Sequence, residues 1–250
     1  MKLKSIVKYN LNSLKNSIAI YYAIFISICV AIVLQSEIGN GSVSSSGLEI
    51  SSAIFIFVAG LNLFKENFYF MKSNNVSRRD FLYGTAVSMI PVVLFMSVTD
   101  IIINRLYNIF IKSPTIYDMV YSNIGSGEWY NSINLVQSNR IGTLFNTFMF
   151  QASVCLASVS LGFLITIIYY KCNSFMKVVV SVVPVAMFIL LNVMGIAYPN
   201  IISNINKFIQ TILGLNTQNS YAAVLTFIVL FIVFIGISRV LTRKAIIKQR

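Results

Sequence analysis

The chain has 250 residues, a net charge of +12, 57% hydrophobic residues and only 10% charged ones. Ordinary soluble domains carry roughly 25% charged residues, so this composition excludes a soluble globular protein of the usual make. A single membrane domain over 1–250 is the expected organisation.

Six apolar stretches carry that expectation: Ile18–Leu34, Ile50–Phe64, Phe81–Ile103, Leu144–Tyr170, Val178–Tyr198 and Tyr221–Ser238. A bilayer core of about 30 Å takes about 20 apolar residues in helical form. Ahead of the first stretch, residues 1–16 read as an interfacial helix. Leu3, Ile6, Val7, Leu11 and Leu14 form one apolar stripe, and Lys2, Lys4, Lys8, Asn12 and Lys15 fill the other faces. A flexible basic tail that only sets topology is the alternative. Val33-Leu34-Gln35-Ser36 has no small-x-small pattern, so the first stretch does not read as a cleaved signal. The second stretch is short between Glu49 and Lys65, and Phe68–Met71 can extend its helix beyond the membrane face.

The segment 65–80 is the most distinctive polar one. Asn74 and Asn75 favour a turn, and Ser77 with Asp80 three residues on resembles a capping box opening the third helix. Arg78 and Arg79 are then exposed at its start. The segment is either a projection for a cytosolic partner or a plain loop carrying topogenic arginines. Asp100 falls about 28 Å from Phe81 at 1.5 Å per residue, near the outer interface. Either a helix-end role or transport chemistry fits it. The connection 104–142 exceeds ordinary loop lengths, and Trp129 and Tyr130 beside Gly125-Ser126-Gly127 make it either a headgroup anchor or a spacer.

Among the uncharged polar residues of the spans, Asn62, Gln151 and Asn192 are taken as candidates for a translocation path, Gln151 and Asn192 also for a dimer seam, because an unpaired amide is costly in lipid. Pro91 and Pro184 are expected to kink the third and fifth spans. In 199–220, Ile201, Ile202, Ile205, Phe208, Ile209, Ile212 and Leu213 form a helical stripe too short to span, with Gly214 as its stop.

Charge orients the chain. Lys2, Lys4, Lys8, Lys15, Lys65, Lys72, Arg78, Arg79, Lys171, Lys177 and the tail from Arg239 to Arg250 fall on one side. Arg105, Lys112, Arg140 and Lys207 fall on the other, so the positive-inside rule places both termini in the cytoplasm. Membrane lipid, not nucleic acid, is the expected partner of this charge. There is no histidine, and no G-x-x-x-x-G-K-[ST] loop to hold nucleotide. Cys29, Cys155 and Cys172 have no metal-ligand spacing. No catalytic residue, metal or cofactor is therefore assigned to this chain.

The order of surface helix, two spans, an Asn75-Val76-Ser77-Arg78-Arg79-Asp80-Phe81 turn, four further spans and a basic tail resembles a known family. It is similar to the permease subunit of type-2 ABC exporters, in the small six-span form found in Gram-positive bacteria. The resemblance implies an all-helical polytopic fold in the bacterial cell membrane, with residues 4–15 as the connecting helix. It also implies that Ser73, Asn74, Asn75, Val76, Ser77, Arg78, Arg79 and Asp80 form the coupling region docked on a separate ABC ATPase. That subunit would bind ATP and Mg, and a second permease, identical or related, would complete the path. The implied function is export of an amphipathic or hydrophobic substrate, peptide being the chosen class. A non-transporting immunity or sensor subunit is the main alternative, and a secondary carrier the third.

Overall fold

A computed structural model describes residues 2–38, 45–122, 137 and 139–243. Trp129, Tyr130 and the basic residues after Arg243 lie outside the described residues. The described elements are helices: α1 (Lys2–Ile38), α2 (Glu49–Asn62), α3 (Lys65–Ser73), α4 (Arg78–Tyr107), α5 (Ile141–Lys171), α6 (Ser174–Ala197), α7 (Pro199–Ile212) and α8 (Ser220–Arg243), with a π-helical turn at Asp118–Ser122. Six helical stretches are long and apolar enough to cross a membrane, with α2 and α3 together making the second. Over the described residues the chain is all-helical, with the helix lengths and apolarity of a multi-pass membrane protein.

The interfacial helix expected over 1–16 is not a separate element. α1 runs unbroken for 37 residues, about 55 Å at 1.5 Å per residue. Its stripe also differs from the expected one. Ile6, Asn10, Leu14, Ile18 and Tyr22, spaced four apart, are buried, whereas Leu3 is 41% exposed. The reason is tertiary. Ile6 and Leu14 join a core with Phe68, Met71 and Phe81, while Asn10 bonds to Thr85 and Ser88 of α4. The first turns of α1 therefore pack on protein instead of offering that face to lipid.

α1 packs on α4, α4 on α5, and α5 on both α2 and α8. One half of this core is aromatic: Phe64, Phe68, Phe81 and Phe163 are almost wholly buried and meet edge to face or stacked. In lipid such contacts stabilise through dispersion and close packing, not by removing apolar surface from water. α2 and α5 approach until their backbones touch. A Cβ on Gly60 would lie 2.3 Å from the Val159 carbonyl oxygen, and one on Gly162 would lie 2.2 Å from that of Phe57. Small residues on facing helices permit such approach, and close van der Waals packing drives helix association in lipid. Thr166 ties the same seam by donating to the Leu61 carbonyl at 2.6 Å.

α6 is different. None of its described side chains is buried, and its main packing partner is α7. α7 ends as expected at Gly214, whose φ is +66°. The Gly214 N–H donates to Thr211 and the Leu215 N–H to Gln210, closing a Schellman motif.

Replacing Gly162 with alanine should force α2 and α5 apart. A loss of about 1–3 kcal/mol is expected, as for other overpacked cores, read as a lowered thermal midpoint in detergent. Replacing Gly236 of α8, where a Cβ meets nothing within 4 Å, with alanine should not lower the midpoint and should raise it slightly, since alanine favours the helix.

Candidate functional site

Two polar constellations sit at opposite ends of the core. At the end bearing the α3–α4 connection, the turn forms as its residues dictate. Asn75 takes φ +54°, and the Ser77 hydroxyl accepts from the Asp80 N–H at 3.0 Å, capping α4. Ser73 and Asn74 fold their side chains back onto the carbonyls of Tyr69 and Phe70. Val76 packs against the main core. Ser73, Asn74, Asn75 and Ser77 are exposed, and so is Arg79, while Arg78 and Asp80 are half-buried.

The two arginines are engaged within the protein. Arg78 Nη1 donates to the Arg243 carbonyl at the end of α8, at 2.9 Å. Arg79 lies over the Tyr83 ring at 5.7 Å, and Arg239 of α8 approaches the same ring at 5.2 Å and donates to its hydroxyl. The exposed part of the turn is thus a small polar knuckle held on α4 and tied to α8.

At the other end Asp100 forms a knot among four helices. Its Oδ1 accepts from Tyr22 of α1 at 2.8 Å and from Ser52 of α2 at 2.9 Å. Its Oδ2 accepts from Gln151 of α5 at 3.3 Å. Tyr21 extends the network through Ser51 and Ser52 at 2.9 and 2.8 Å. Glu49 is also buried, and its carboxylate faces the backbone N–H groups of Glu49 and Ile116. Nearby, Asp118 is reciprocally bonded to Thr115 and stands 3.9 Å from Arg105. Tyr121, outside the spans, donates to the Leu213 carbonyl at 2.7 Å, and burial beside Tyr117 pushes its hydroxyl up to about 12. It therefore stays neutral and donating at ordinary pH.

The three path candidates part company here. Gln151 is buried in the knot, bonding also to the Glu49 carbonyl at 3.4 Å. Asn62 and Asn192 are exposed and donate within their own helices, to Val58 and Phe188 at 3.1 and 2.8 Å. The structure does not bring the three together. Tyr22, Ser52 and Glu49, which do surround Gln151, escape a sequence reading because hydroxyls and end-of-span acids are common in such helices. Asn10 escapes too, since its position on a lysine-rich segment reads as solvated. The one clue is its place, four residues from both Ile6 and Leu14.

Comparison with known protein families, curated proteins and solved structures finds no match for this chain.

Replacing Asp100 with leucine strands the donors of Tyr22, Ser52 and Gln151. Thermal unfolding in detergent should show a loss of about 1–3 kcal/mol, the scale for buried groups left unpaired. Asp100→Asn keeps an acceptor oxygen and should lose clearly less.

Proposed function

We propose that the chain is the membrane permease subunit of an ATP-driven exporter of amphipathic or hydrophobic cargo, peptide being the class favoured. A separate ABC ATPase binds ATP and Mg, and two permeases, identical or related, enclose the path. Both termini and the α3–α4 turn face the cytoplasm of a bacterial cell. The observation carrying this reading is the contrast between the packed centre and the open flank. The centre of α1, α2, α4 and α5 is filled by Phe64, Phe163 and the Asp100 knot. α6, by contrast, leaves its apolar length uncovered. A bulky substrate fits between copies better than through one bundle. The residue order and the capped basic turn add support from the family resemblance.

In this mechanism nucleotide closes the ATPases and the motion enters at 73–80. The Ser77 cap makes the turn the rigid beginning of α4, and Arg78 links it to α8. A push on the turn therefore moves two spans together. A transition of this kind needs a ligand that favours one state over the other, which ATP supplies through its subunit. One observation favours a second reading. Buried acids such as Asp100 and Glu49 are characteristic of proton- or cation-coupled carriers.

Purification of the tagged chain in mild detergent should bring down an ATPase and a second permease. The double replacement Arg78→Ala with Arg79→Ala should weaken that association or uncouple hydrolysis from export, at unchanged membrane abundance. Ser77→Ala should do less, since a lost cap costs about 1 kcal/mol. Transport by a strictly monomeric chain, driven by an ion gradient without ATP, would overturn the exporter in favour of the carrier.

A further inference from the structure

Four guanidinium groups meet where α4 begins and α8 ends. Arg78, Arg79, Arg239 and Arg243 line a cavity of about 390 Å³ with Tyr83 and Thr242, within the size range of small-molecule sites. Among the described residues none of the four forms an ion pair, since the one pair there joins Arg105 to Asp118. Asp80 is the acid of the first α4 turn and α8 carries none, so the four guanidinium groups outnumber the carboxylates of these two helix ends. Like charges gathered on two helix ends repel one another unless an anion sits among them. The positive dipole end of α4 and the negative end of α8 meet there and roughly offset, so the guanidinium groups supply the positive charge.

The arginines are held in position. Arg78 is fixed by the Arg243 carbonyl, and Arg79 and Arg239 both approach the Tyr83 ring. A guanidinium presents a planar fork of N–H donors suited to phosphate oxygens. What lies beside the cavity selects among phosphates. On α4, Val87, Ile90 and Leu94 continue the Tyr83 face at four-, seven- and eleven-residue offsets, each at least 40% exposed. On α8, Ile232 and Ile228 continue the Arg239 face and are 62% and 41% exposed, with open space at Gly236 between. An anion site that opens onto two bare apolar stripes matches a head and two tails.

We infer that this cavity is a binding site for the phosphate of an anionic phospholipid, whose acyl chains lie along the exposed faces of α4 and α8. The inference does not depend on the exporter reading. It differs from general attraction of basic segments to a charged surface because it assigns one bound headgroup to named residues.

The test uses the full chain in a neutral detergent, with native mass spectrometry and the thermal midpoint as readouts. The probes are phosphatidylglycerol, phosphatidylcholine, and inorganic phosphate at the same ionic strength. Phosphatidylglycerol is expected to remain bound and raise the midpoint, and phosphatidylcholine to do neither. Arg239→Ala with Arg243→Ala should weaken phosphatidylglycerol binding about thirtyfold, the scale for two basic residues at an anionic surface. Lys4→Ala with Lys8→Ala removes equal charge elsewhere and should leave binding unchanged. If the alanine pair fails to fold, Arg239→Gln alone, read by mass spectrometry at low temperature, should still lose the lipid adduct. Equal binding of both lipids, or equal losses in the lysine and arginine pairs, would overturn the site. An equal midpoint shift with inorganic phosphate would overturn the lipid in favour of a free anion. Wild-type lipid binding by the arginine pair, with loss of a co-purifying subunit instead, would reassign the arginines to a protein contact.

Discussion

One carboxylate holds the bundle together. Asp100 accepts from α1, α2 and α5 while standing on α4, so four of the six spans converge on two oxygen atoms. An aspartate at the centre of a membrane helix costs about 2.5–3.5 kcal/mol, an upper bound for Asp100 near the end of α4. Hydrogen bonds between membrane helices return about 0.6–1.7 kcal/mol each. Three of them return about 2–5 kcal/mol together, enough to offset a cost of that order. The relative rotation of the four helices is therefore tightly constrained, because turning any of them removes its donor from Asp100.

The rest of the architecture follows from that constraint. With the polar knot fixing one end, the other end is free to pack on shape, and it does so with Phe64, Phe68, Phe81 and Phe163. Between them Gly60 and Gly162 let α2 and α5 touch along their backbones. α8 is attached from outside, through α5 and the arginine contacts with α4. α6 is held least, with Tyr169 of α5 bonding to its Ser181. A rigid core with loosely held outer spans is the division expected where the outer spans meet lipid or another copy.

Local signals were readable from the sequence. The six spans follow from apolar length, the α4 cap from Ser77 and Asp80, and the end of α7 from Gly214, each set by a few neighbouring residues. Partners distant in the chain were not. Gln151, Asn62 and Asn192 look alike in composition, yet only Gln151 meets a carboxylate 51 residues away. For Asp100 the sequence leaves a helix-end role and transport chemistry open, because its donors lie on three other helices. α1 shows the same limit. Residues 1–16 read as a surface helix from their own lysines and leucines, but Thr85 and Ser88, more than seventy residues on, give Asn10 a reason to be buried.

The functional reading rests on which side of the membrane the α3–α4 turn faces. After Cys29, Cys155 and Cys172 are replaced, single cysteines at Ser73 and Asn216, both exposed, can be probed with a membrane-impermeant thiol reagent. In intact cells the cysteine at 216 is expected to react and the one at 73 to stay protected until the membrane is opened. Labelling at 73 in intact cells, with protection at 216, would invert the protein and contradict a cytoplasmic coupling turn.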